Sequence, residues 1–377
     1  MQKIAVKDLI PGMVAAKSVY HADGRLLLAE GSIFTAQYIR RLQDIGVWVV
    51  YIQNPLVANI AVPEVLAEET RVKAVATVKE AFDGFCNSKK IDMGQFKELT
   101  EDIVAEVIRN PNAIFHLNDI RMYDDYTFAH SVNVCVLAVL VGVGLQYAPR
   151  QLMELGIGAL LHDVGKMAVE KQILNKPGHL DETEMLVMRR HPEWGFEILR
   201  KYSAQLSWPS IHVAFQHQEK FDGSGYPRQL KGLDIHEYAR ITAIADVYDA
   251  LTSDRPYRPA LPPCQAYEFM LAGSGVQFDP DLLREFLRHI ALYPVGSMVK
   301  LNTGDTGIVT RVLPGLQSRP VVRLLADADD NLYESDSELD LSLELTVFVS
   351  ETLNEEAVSA LVRRIDRLAL LRRFEVG

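Results

Sequence analysis

Leu161-His-Asp-Val-Gly-Lys166 closes a helical pattern that opens at Leu152, and its His-Asp pair constrains what architecture the chain can build. Neighbouring side chains on a regular helix diverge by about 100°, so His162 and Asp163 can serve one site only where a helix ends. Gly165 follows closely enough to end it. A His-Asp pair on its own is commonplace. Its weight comes from further residues of the same chemistry: His130 ahead of an apolar stretch, His191, His217 at the close of an amphipathic stretch, and Asp246 within the apolar run Ala243 to Tyr248. Singly, each reads as an ordinary hydrogen-bonded residue. As a set, four imidazoles and two carboxylates, joined by a bridging hydroxide, can hold two divalent cations that polarise a phosphodiester and activate water. A cation would also remove the penalty of burying Asp246 unpaired.

The flanking sequence gives the organisation. A chain of 377 residues exceeds one ordinary core, and two or three domains are expected. Val19-Tyr20, the turn at Asp23-Gly24 and the run Leu26 to Ala29 read as a hairpin, followed by a helix over Phe34 to Leu42 and a strand over Val47 to Ile52. We read 1–62 as a small α+β module. A helical linker, 63–111, follows: Val65, Val72, Val75, Val78 and Phe82 recur at helical intervals up to about Phe85, and a second helix over Gln95 to Ile108 stops before Asn110-Pro111. Residues 112–292 read as helices joined by short Gly/Pro loops and carry the chemistry. There, Asp181 and Glu184 form a capping-box pattern that opens a helix, and the sequence places His191 at its end, closed by Pro192. In 293–377, the runs Met298 to Leu301, Gly307 to Val312 and Val321 to Leu325 are β-branched and predict a small barrel or sheet. A terminal helix over Glu355 to Phe374 lines up Val358, Leu361, Ile365, Leu368 and Leu371 on one face, with arginines over much of the rest. That pattern suits a docked helix with solvated arginines, and also an anionic membrane or a partner.

Bulk properties exclude some functions. A net charge of −11 argues against duplex nucleic acid, while a local basic pocket can still hold a nucleotide. Cys86, Cys135 and Cys264 form no CxxC pair, which suits a reducing compartment. The stretch Met1 to Ile10 has no signal-peptide core, and the longest apolar run, Val132 to Leu145, is only 14 residues. A cytoplasmic protein without a transmembrane segment is expected.

His217-Gln-Glu-Lys-Phe-Asp-Gly-Ser-Gly-Tyr-Pro227, Leu161 to Lys166, Asn175-Lys-Pro-Gly178 and Ala245-Asp-Val-Tyr-Asp-Ala-Leu-Thr-Ser-Asp-Arg-Pro-Tyr-Arg258 together resemble the HD-GYP family, bacterial phosphodiesterases of cyclic di-GMP. The resemblance covers about 112–292. It implies a mainly α-helical HD-type catalytic domain, flanked here by the α+β module and the β-rich C-terminal module. It further implies two transition-metal ions, Fe or Mn ahead of Ni or Zn: one held by His130, His162, Asp163 and Asp246, the other by the bridging Asp163 with His191 and His217. Asp163 and Lys166 are the implied catalytic residues, and Lys166 would present its ammonium to the scissile phosphate. Gly225, Tyr226 and Pro227 form the substrate-contacting loop, and Arg255 and Arg258 are placed on phosphate. The bland readings are a solvated Lys166, a plain surface turn at the loop, and ordinary salt bridges for the arginines.

Two positions depart from the family pattern. Gln218 stands where a second adjacent histidine is usual, and Tyr126 where some members use a glutamate for a third metal. The expected activity is hydrolysis of cyclic di-GMP to pGpG, and onward to GMP if a second cut is admitted. The alternatives are a nucleotide-binding receptor or scaffold without turnover, and a hydrolase of another cyclic dinucleotide. A homodimer or signalling partners would be compatible with either.

Overall fold

The computed structural model describes residues 2–21, 25–47, 49–53, 65–86, 92–110, 126–176, 178–253, 260–333, 337–353, 357, 358 and 361. The N-terminal module contains β1 (Gln2–Ala5), β2 (Val19–Tyr20), β3 (Leu26–Leu28), α1 (Ala36–Asp44) and β4 (Val49–Ile52). β1 pairs antiparallel with β4, and β2 with β3 as the hairpin. The helix starts two residues later than Phe34 because Thr35 caps it, its side chain accepting from the Tyr38 N–H. Val6, Phe34, Leu42 and Val50 close a core of their own.

Eleven further helices follow among the described residues: α2 (Glu68–Cys86), α3 (Met93–Arg109), α4 (Tyr126–Gly144), α5 (Pro149–Leu160), α6 (Lys171–Leu174), α7 (Glu182–Met188), α8 (His191–Leu199), α9 (Trp208–Gln216), α10 (Glu237–Thr252), α11 (Pro263–Ala272) and α12 (Pro280–Arg288). One hydrophobic core runs through them from Val65 to Ile290. Its axis is α4, where every residue from Val134 to Val141 is at most 1% exposed. That burial explains the apolar run: α2, α3, α5, α10 and α12 surround it. Each such Leu- or Val-sized side chain contributes roughly 1.5–3 kcal/mol on leaving water, so α4 is a fixed frame for what it carries. Among the described residues, no helix is long and apolar enough to cross a membrane.

One sequence expectation is corrected. His191 does not end the helix that Asp181 opens. That helix, α7, has the expected capping box but stops at Met188, and His191 is the first residue of α8 with Pro192 in its first turn. Proline is favoured there because its missing N–H would be unpaired in any case.

The C-terminal module is an antiparallel sheet of β5 (Met298–Leu301), β6 (Thr306–Arg311), β7 (Val321–Ala326), β8 (Glu338–Asp340) and β9 (Val349–Thr352), in the order β8-β7-β6-β5-β9. β8 and β9 escape sequence reading because they are short and polar. Val358 and Leu361, from the apolar face read for the terminal helix, pack with Met298 and Ile308. Most of that helix lies outside the described residues.

Candidate metal centre

Three helix ends and the interiors of two further helices deliver the site. α5 stops at Leu160, and the chain turns through His162 and Asp163 into a 3-10 turn, Val164–Ala168. α8 begins with His191 against that turn, and α9 ends in His217. The approach of α8 requires Gly165: a Cβ there would lie 1.9 Å from the His191 carbonyl oxygen and 2.5 Å from the Gly195 nitrogen. His130 comes from the N-terminal part of α4 and Asp246 from the middle of α10.

The structure brings all six residues together. His130, His162, Asp163, His191 and His217 are each no more than 2% exposed. Backbone carbonyls fix three rings: His162 Nδ1 lies 2.7 Å from the Ala159 oxygen, His191 Nδ1 2.8 Å from Met188, and His217 Nδ1 3.1 Å from Ala214. A carbonyl only accepts, so Nδ1 carries the hydrogen and Nε2 presents a lone pair inward. His130 is held by a carboxylate instead, with Nδ1 2.7 Å from Asp249 Oδ2 and Nε2 3.1 Å from Asp246 Oδ1.

Asp163 lies between two imidazole pairs. Its Oδ2 is 3.4 Å from His162 Nε2 and 3.8 Å from His130 Nε2, while Oδ1 is 3.5 Å from His191 Nε2 and 3.6 Å from His217 Nε2. His191 and His217 bring their Nε2 atoms to 3.1 Å. Two lone pairs at that distance repel unless a cation lies on them. His162 Nε2 and Asp163 Oδ1 are buried without a hydrogen-bond partner among the described residues, a costly state that a bound divalent ion relieves. Three overlapping ligand sets, His130-His162-Asp163, His162-His217-Asp246 and Asp163-His191-His217, each have donor atoms within 4.8 Å of one another. The residues fit divalent metal.

Electrostatics agree with that fit. Burial pushes the His191 imidazole down to about 3, which leaves it neutral and able to ligate at neutral pH. Burial would raise the Asp163 carboxyl, but the Lys166 ammonium and His162 hold it well below the usual carboxylate range. Burial likewise opposes ionisation of Asp246, and His130 outweighs it. Lys166 places Nζ 2.5 Å from Asp163 Oδ2 and keeps its side chain 27% exposed, at the rim of the centre.

The Gly-Tyr-Pro loop is built onto the candidate ligands. Glu219 accepts from the backbone N–H groups of Arg228 and Leu230, and a Cβ at Gly225 would lie 2.3 Å from the Lys220 nitrogen, so the loop closes tightly behind His217. The Tyr226 ring centroid is 6.4 Å from that of His191, with the Arg189 guanidinium 5.5 Å over its face. Gln218 is engaged at both ends: its Nε2 donates to Asp246 Oδ2 at 3.1 Å, and its Oε1 accepts from the Tyr226 hydroxyl at 3.0 Å. Arg255 and Arg258 lie outside the described residues.

Sequence reading missed Asp249, Asn133 and Arg71, which stand behind His130. A signal was present: Asn133 follows His130, and Asp249 follows Asp246, by three residues, which places each pair on one helix face.

Residues 120–282 match the family model described as HD domain, and 298–361 the one described as KOW domain associated with HD domain. The cyclic di-GMP phosphodiesterase PA4108 of Pseudomonas aeruginosa is 38% identical over 258 residues, 68% of this chain and 62% of that protein. The 3'3'-cGAMP-specific phosphodiesterase 2 of Vibrio cholerae is 46% identical over 129 residues, 34% of this chain and 25% of its own length. The cyclic di-GMP phosphodiesterase response regulator RpfG of Xanthomonas campestris is 39% identical over 169 residues, 45% of each chain. The chain thus spans less than two thirds of the length of each of these relatives. Match and cluster point the same way: the chain carries an HD domain over 120–282, followed by a KOW domain over 298–361.

Proposed function

We propose that this protein is a metal-dependent phosphodiesterase that hydrolyses cyclic di-GMP to linear pGpG, with GMP following if the site admits a second cut. The observation that carries the reading is Asp163, one oxygen toward His130 and His162 and the other toward His191 and His217. The names of two of the relatives support the substrate. In this reading Asp163, with His130, His162 and Asp246 on one side and His191 and His217 on the other, would hold two divalent cations, Fe or Mn ahead of Ni or Zn. When bound, the cations withdraw charge from the phosphodiester and make water acidic enough to attack. The water oxygen bonds to phosphorus and the P–O3′ bond breaks with its electron pair on O3′, which takes up one of the two protons the water releases, while the other passes to solvent.

The chain's own groups orient that exchange. Lys166 at the rim donates to a phosphate oxygen, and we place Arg255 and Arg258 on the same phosphate. Tyr226 offers its ring to a base, held by Gln218 through its hydroxyl. Gly225 and Pro227 set the loop's path. We assign 1–62 as the α+β module, 63–111 as the linker, 112–292 as the catalytic domain and 293–377 as the β-rich module, and a cytoplasmic setting in keeping with the cysteine usage.

The test is the full chain loaded in turn with Fe, Mn, Ni and Zn, given cyclic di-GMP and 3'3'-cGAMP at equal concentration, with products separated by chromatography. Faster loss of cyclic di-GMP is expected. Preferential loss of 3'3'-cGAMP would move the substrate, and calorimetric binding with both dinucleotides intact under all four metals would make the protein a receptor.

A further inference from the structure

The geometry points to Arg71, on α2 and outside the matched HD segment, as a positioning residue of the metal centre, acting on His130 through Asn133 and Asp249. This rests on reading the cluster as a metal centre. The relay is continuous: Arg71 Nη1 donates to Asn133 Oδ1 at 3.0 Å, Asn133 Nδ2 donates to Asp249 Oδ1 at 2.8 Å, and Asp249 Oδ2 holds His130 Nδ1 at 2.7 Å. Asn133 and Asp249 are at most 1% exposed and Arg71 is half-buried.

Direction matters in this relay. A guanidinium can only donate and an ionised carboxylate can only accept, so the Asn133 amide has one orientation that suits both neighbours. Arg71 enforces it. The Asp249 carboxylate then has a hydrogen-bond partner on each oxygen and fixes the His130 ring with Nε2 inward, which raises the basicity of that nitrogen toward a cation. Without Arg71 the amide loses one of the two partners that fix its orientation. α2 also packs against the 3-10 turn that carries Lys166, so the helix meets the centre from two sides.

A purely structural pin between α2 and α4 would stabilise the fold without touching ligand strength, and metal affinity separates the two roles. Mn2+ is titrated calorimetrically into chelator-stripped full-length protein and its variants, with thermal melts in parallel. Arg71→Met is expected to weaken Mn2+ binding by roughly tenfold, the lower end of what loss of an outer support typically costs. Asn133→Leu, which cuts the relay but leaves Arg71, should match it, and Arg71→Lys should recover part of the loss. In an Asp249→Asn background, Arg71→Met should weaken binding no further. Lys73→Met, which on the same helix removes a partner of Asp102 at 2.9 Å, should leave affinity unchanged.

Unchanged affinity in both relay variants, or an equal loss with and without Asp249, would overturn the inference. Should Arg71→Met fail to fold, Asn133→Leu and Arg71→Lys decide it. Failure of the unaltered chain to bind Mn2+ would instead bring down the metal-centre reading beneath it.

Discussion

At Asp163 a single carboxylate faces four imidazoles, so Asp163→Ala is expected to cost more bound metal than any other ligand substitution. Elemental analysis of the purified variant should find less than one ion per chain; two would show that the carboxylate does not bridge. His191 predicts a pH dependence. Its ordinary value of 6.5 falls to about 3 on burial, so between those values the unfolded chain binds a proton that the folded chain refuses. Stability is therefore full above pH 6.5 and declines as pH falls toward 3, by up to about 1.4 kcal/mol per unit for this site. Asp163 and Asp246, held low, add a loss of the same sign in more acid solution. Denaturant unfolding of the chelated protein from pH 7 to 5 should show this slope, and His191→Gln should flatten it. Gln218 is a different case. The sequence marks it as a missing ligand, yet the structure occupies both ends of its amide. An imidazole there that gave one nitrogen to a cation would have only the other left for Asp246 and the Tyr226 hydroxyl, so Gln218→His is expected to lower the maximal rate without sharpening the response to limiting metal. A variant that gains activity at low metal would restore the view of Gln218 as a defect.

Among the elements, the approach of α8 to the turn behind Asp163 is the tightest constraint. Gly165→Ala puts a methyl group into backbone of α8, and overpacking of this kind costs about 1–3 kcal/mol. We expect a lower melting temperature together with loss of the His191–His217 side of the centre, read as reduced metal stoichiometry. An unchanged melt would mean that α8 moves freely. The same elements show what was legible in advance. α2, α3 and α5 announce themselves by apolar period, and α7 by its capping box, because those signals are local. The break between α7 and α8 is not, since Pro192 reads equally as an end or a beginning until the packing of His191 against Gly165 decides it. β8 and β9 carry too few apolar residues to register alone and exist by pairing with β7 and β5. The six ligand candidates could be gathered from sequence by their chemistry. Their supports could not, because the link from Arg71 to Asn133 spans 62 positions and only folding makes the two neighbours.

Across the whole molecule, the core ignores the boundary proposed between 63–111 and 112–292. Phe82 from α2 and Phe96, Leu99 and Ile103 from α3 share one buried cluster with α4 and α10. A fragment of 112–292 should therefore melt without cooperativity, whereas 65–292 should unfold in a single transition by calorimetry; two equally sharp melts would show the linker helices to be dispensable. The ring clamps lead to a consequence of another kind. Main-chain oxygens hold His162, His191 and His217, and mutation exchanges side chains while leaving those oxygens in place. Among the described candidate ligand histidines, His130 alone is clamped by a group that one codon change can replace. Heritable adjustment of metal preference is thereby funnelled toward one corner of the centre. A saturation library selected for altered metal choice, with the ligands themselves kept fixed, should collect its hits around Asp249, Asn133 and Arg71, and few behind the other three rings.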